Sequence, residues 1–202
     1  MPVRTRAGAL AALAVAAVTG LTALATPAGA APAPAFLSAA ELPPHPSSAW
    51  TAGQVTDGVP DELRLCLDEV FPGYDSRYRP FHTDLDAAAR QLTVVTGSAT
   101  KAKALADRMN ALIRSCADRV ERGDPEAEAT YRGYGRVRAE EGARVHGLHT
   151  ETSWGATDIR LLSVGRDGRT VTVVEWSQLG DFGDAPVRAF RKTTATAVNK
   201  LY

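Results

Sequence analysis

The sequence predicts an α+β domain: an antiparallel sheet of about four to five strands with helices packed on one face, in the order β-α-β-β-β-α, held by one disulfide. Three observations carry that expectation. "ATDIRLLSVGRDGRTVTVVEWSQ" alternates on either side of Asp167-Gly168, a dipeptide that favours a tight hairpin turn. Between Ser98 and Gly123, Leu105, Met109, Leu112, Ile113, Cys116 and Val120 recur at spacings of three and four, the apolar stripe of a long helix. The chain has just two cysteines, Cys66 and Cys116, and begins like an exported protein.

The elements follow in chain order. Arg4 and Arg6 precede an apolar run from Ala7 to about Ala25, and Ala28-Gly29-Ala30 then fits a signal peptidase site, so residues 1–30 read as a signal peptide cut after Ala30. An uncleaved membrane anchor is the competing reading, because the run approaches spanning length. Residues 31–37, opening "APAPAF", form an extended, flexible lead to a single domain over 38–202. Ser38 with Glu41 makes a capping box for a short helical turn over Ala39 to Leu42, stopped by Pro43-Pro44. The Pro-, Gly- and Ser-rich stretch to about Pro60 is expected to wrap the surface without building an element. Asp61 caps a second short helix running to about Val70 and ended by Pro72-Gly73.

Gln91 to Thr96 is β-branched and apolar, a strand whose start the pattern leaves open toward earlier residues; Ser98 or Thr100 then opens the helix of about six turns, closed by Gly123. "EATYRGYGRVRAEEGARVHGLHTET" holds one or two strands, with Gly142 and Gly147 marking a break or bulge, and the hairpin follows. After "LGDFGD", Asp184 caps a last helix with Val187, Phe190, Thr194, Ala197 and Leu201 along one face.

At 202 residues, 45% hydrophobic and 23% charged, the composition is that of a globular domain with a substantial core. Formal net charge is zero, and loss of Arg4 and Arg6 leaves the mature chain near minus two, which gives no footprint for nucleic acid. In an oxidising compartment Cys66 and Cys116 pair, closing a loop of about fifty residues; two free thiols are the alternative. No P-loop, dinucleotide-binding glycine motif or nucleophile elbow is present, and the acidic loops are too sparse for calcium. The expectation is therefore no catalytic residue, no metal and no cofactor.

His146 and His149, with Glu151 nearby, are zinc-friendly types, but positions three apart on a strand face opposite sides. His82, Asp84 and Asp86 would share one side if "FHTDLD" is extended. The aromatics are the better clue. Trp154 and Trp176 stand at the far ends of the hairpin pair, side by side at the end of the sheet away from its turn, with Trp50 free to approach. One of the two is expected to pack the core and the other to border a cleft, to which Tyr131, Arg132, Tyr134 and Glu175 add polar groups.

"AFLSAAELPP" followed by a tryptophan, the early Cys66, the "QLTVV" strand, an alanine-rich helix bearing Cys116 near its end, and the late "VGRDGRTVTVVEW" hairpin together resemble the PknH-like extracellular sensor domain of actinobacterial serine/threonine kinases and their secreted or lipoprotein relatives. The resemblance spans about Phe36 to Tyr202. It implies a non-enzymatic sensor or binding module with a ligand cleft in an antiparallel sheet flanked by helices. Only the Cys66 to Cys116 bridge of that domain's two disulfides has counterparts here, and these residues hold no kinase domain, so signalling would pass through a partner. The expected activity is binding of a small molecule or cell-envelope component by a secreted monomer. A secreted hydrolase with a histidine-containing site and a protein-protein interaction module are the alternatives.

Overall fold

The computed structural model describes residues 33–67, 70–71 and 75–202. The segment read as a signal peptide and the Pro72-Gly73 stop lie outside the described residues. A 3-10 turn, Ala39–Glu41, is followed by β1 (Thr51–Ala52), β2 (Thr56–Asp57), α1 (Asp61–Leu67), β3 (Asp75–His82), β4 (Ala88–Val95), α2 (Ala99–Arg114), α3 (Cys116–Gly123), β5 (Ala127–Val137), β6 (Ala143–Thr152), β7 (Thr157–Asp167), β8 (Thr170–Leu179) and α4 (Val187–Asn199). The eight strands among the described residues form one antiparallel sheet ordered β1-β3-β4-β8-β7-β6-β5, with β2 also pairing with β3. The mixed α+β class stands, and Cys66 and Cys116 are bonded, but the sheet is larger than the four or five strands expected.

The extra strands come from segments with weak periodicity. β3, "DSRYRPFH", carries a proline and three charged residues, yet pairs along its whole length with β4. β1 and β2 are two-residue pieces of the stretch expected only to wrap the surface, and they add to the outer edge of β3.

Helices cover both faces of the sheet, which corrects the one-face expectation. Side chains alternate across a strand, so the register sorts the residues. Leu92, Val94, Leu148, Leu162, Val164, Val171 and Val173 share one face with the buried stripe of α2 and with residues of α1 and α3. Ala89, Val145, Ile159, Leu161, Val174 and Trp176 share the other with Phe190, Ala197 and Val198 of α4 and with Leu37 and Leu42. We call these the inner and outer faces. The adjacent pairs Leu161-Leu162 and Val173-Val174 carry the signal, because a strand apolar at both parities is buried on both sides.

Close approach of α4 needs Gly165: a Cβ there would lie 2.4 Å from the Val198 side chain and 2.9 Å from Ala143 Cβ. The lead is tied down where it meets the domain. Ala35 N–H donates to the Lys200 carbonyl (3.0 Å), and Leu37 is fully buried with its N–H on Gln91 Oε1 (2.6 Å). Glu41 closes the expected capping box by accepting from Ser38 N–H (2.6 Å).

Three local expectations shift. The long helix breaks at Ser115, whose hydroxyl donates to the Leu112 carbonyl (3.2 Å) and competes with the helical ladder, so α2 and α3 are separate. The hairpin turn is Gly168-Arg169, since Asp167 pairs with Thr170. Asp184 does not cap α4; its carboxylate accepts from Asp181 N–H (2.9 Å), inside the preceding loop, and Pro186 takes the cap position.

Candidate functional site

The residues expected to line one cleft are dispersed. Trp176, opposite Leu161, is 3% exposed within the outer-face core. Trp154 is 64% exposed in the turn between β6 and β7, beyond the end of the sheet where Trp176 lies four residues inside. Trp50 is half-buried against the outer-face core, and its indole N–H donates to the Pro43 carbonyl (2.7 Å). The tryptophans therefore do not wall a common cleft.

Glu175 is on the inner face and 1% exposed. Arg90 donates to one carboxylate oxygen (2.5 Å) and Arg160 to the other (2.9 Å), while Arg90 also reaches Glu62 (2.7 Å). That is an internal ion cluster with one arginine on each carboxylate oxygen. Tyr134 packs its ring toward Gly147 on the outer face, and its hydroxyl is buried with no partner in the structure. Arg132 stacks on Phe182, 4.0 Å from the ring centroid. His82 ends β3, and Asp84 and Asp86 sit in the following bend, where Asp86 faces His45 (3.8 Å).

His146 and His149 do face opposite sides. His149 lies against Phe182 on the outer face. His146, 2% exposed on the inner face, joins Tyr131 to Asn110. The Tyr131 hydroxyl lies 2.9 Å from His146 Nδ1, His146 Nε2 lies 2.8 Å from Asn110 Oδ1, and Asn110 Nδ2 donates to the Ala106 carbonyl (2.7 Å). With Asn110 Oδ1 as acceptor, Nε2 carries the proton and Nδ1 accepts from the tyrosine. Both ring nitrogens are thus engaged, which leaves none for a substrate.

Burial, and secondarily the guanidinium groups of Arg114 and Arg144, holds His146 well below the ordinary histidine value, at about 4. A neutral buried histidine makes the unfolded chain bind the extra proton first as pH falls. Stability contributed by this site is then full above about pH 6.5 and is lost between about 6.5 and 4, on the order of 3 kcal/mol. Urea midpoints measured across that window should fall with pH in the native chain, and the slope should flatten in His146→Gln; an unchanged slope would contradict the assignment.

Asn110 also opens onto a cavity of about 210 Å³ between α2 and the end of the sheet formed by β5, β6 and β7. Its rim carries Lys103 and Asp107 of α2, Arg136, Glu141, Arg144 and Arg166. Lys103 pairs with Asp107 (2.6 Å) and Arg166 with Glu141 (2.6 Å). Among the described residues no carboxylate pairs with Arg136 or Arg144, so the cavity keeps two uncompensated positive charges in a chain of zero formal net charge.

A register shift builds this arrangement. Before it, Tyr131 and Gly133 of β5 face inward, opposite Leu148 and His146; after it, Arg136 stands directly opposite Arg144 and Val137 turns to the outer core. The bulge lies between Gly133 and Gly135, and Gly135 has φ 81°, a conformation that favours glycine. Without the extra residue, Arg136 would point to the outer face. The expected irregularity at Gly147 is instead here, where Gly133 and Gly135 straddle Tyr134.

Lys103, Asn110, Arg136, Arg144 and Arg166 did not stand out from the sequence. The available signal is the turn Arg138–Gly142, around which Arg136 and Arg144 are symmetrically placed. Compared with known proteins, the chain matches no family model and no curated protein.

Proposed function

We propose that the chain is a secreted, non-enzymatic ligand-binding or sensor-like domain, and that its site is the cavity between α2 and the β5–β7 end of the sheet. The observation that carries this reading is the polar, partly uncompensated lining of a hollow set beside the inner-face core. The disulfide accords with export, and among the described residues no helix is long and apolar enough to cross a membrane. The occupant is a small molecule or a cell-envelope component, bound by a monomer. The histidine hydrolase is less favoured, because His146 is sealed and doubly bonded.

Incubating the mature protein with cell-wall fragments, lipids and small metabolites, followed by native mass spectrometry, separates binding from turnover. Retention of an intact compound is the expected result. Conversion of a panel member to product, or retention of none, would count against the proposal.

A further inference from the structure

We propose that the cavity binds an oxyanion, a phosphate or the phosphoryl group of a phosphomonoester, between the guanidinium groups of Arg136 and Arg144. This rests on the cavity being the binding site and specifies what it takes.

Like charges directly opposite on adjacent strands are destabilising, yet Arg136 and Arg144 are register partners on the same face. A bulge and a left-handed glycine are required to put them there, since the unbroken alternation would send Arg136 to the other side. The same shift turns Val137 into the outer core, but burying Val137 does not call for arginine at 136 or 144, whose side chains are both exposed. A like-charged pair that the packing of its neighbours does not call for points to a site.

The neighbours refine the chemistry. Arg166 stands on the same face, two residues beyond the partner of Arg144, and Lys103 overhangs from α2. Their charges are already met by Glu141 and Asp107. The two free arginines present planar forks, which suit the oxygens of phosphate and bind it bidentately. Glu141 and Asp107 on the rim disfavour an extended polyanion such as nucleic acid and favour one compact group.

Calorimetric titration of the mature protein with inorganic phosphate, glycerol 3-phosphate, acetate and glycerol tests the proposal. Phosphate and its monoester should bind, acetate about tenfold more weakly and glycerol not measurably, with affinity falling as salt rises. Arg136→Gln and Arg144→Gln should each weaken phosphate about tenfold, and Arg144→Lys less, while the Gln variants stay at least as resistant to urea as the parent when phosphate is absent. No phosphate binding, or binding unchanged in both Gln variants, overturns the proposal. Should the Gln variants misfold, the repulsion argument fails with them. Ala106→Leu, which fills the cavity floor, should block any occupant. If it abolishes binding of an uncharged compound that Arg144→Gln leaves untouched, the cavity stands and the oxyanion falls.

Discussion

Replacing Glu175 with leucine should lower the unfolding free energy by about 3–5 kcal/mol, because it strands two guanidinium groups rather than removing a pair. Arg90 and Arg160 have side chains 12% and 24% exposed, and Glu175 accepts from both. Arg160 Nε is already buried with no partner in the structure, so this arginine depends on the carboxylate for its charge compensation. Arg90 keeps Glu62, which is half-exposed and a weaker anchor. Urea denaturation at neutral pH measures the loss. The triple replacement Arg90→Met, Glu175→Leu, Arg160→Met should recover much of it, since an apolar set of similar size avoids the desolvation of all three ions. A loss below about 1 kcal/mol in Glu175→Leu would show that solvent compensates the arginines.

The second large effect is the loss of the Cys66 to Cys116 bond. It joins α1 to the start of α3 across a separation of 50 residues, enclosing β3, β4 and α2. In the chain-entropy account such a loop is worth about 4 kcal/mol. Both sulfurs are in the inner-face core, and Arg119 adds a bond from α3 to the Cys66 carbonyl (2.7 Å). Cys66→Ser with Cys116→Ser should therefore unfold at a much lower urea concentration than the oxidised parent, and the reduced parent should behave like the variant. Equal midpoints for all three would mean that the inner core holds α1 without the bond.

Much of the architecture was readable from residue order. The β7–β8 hairpin, the buried stripe of α2 and the capping box at Ser38 each rest on a local pattern that tertiary structure did not override, and the cysteine pairing follows from there being two cysteines. β3 was not readable, because its polar sequence takes its strand conformation from pairing with β4 and from Phe81, its single buried residue. The second helical layer is signalled by β7 and β8 being apolar at both parities, a feature overshadowed in the sequence by the alternation of Ile159, Leu161 and Ser163. The site was the least visible. Tryptophans signal burial more strongly than binding, and Trp176 followed that rule. Arg136 and Arg144 are ordinary surface residues until a one-residue shift at Gly133–Gly135 makes them opposite.

The most direct test of the cavity as the binding site is the location of the first compound the protein retains. Backbone amide shifts on titration should move together at Asn110, Gly142, Arg144 and Gly165, with the exposed Trp154 indole unchanged. Shifts centred on Trp154, on Trp50 or around Phe182, with the α2 and β6 amides still, would contradict the account.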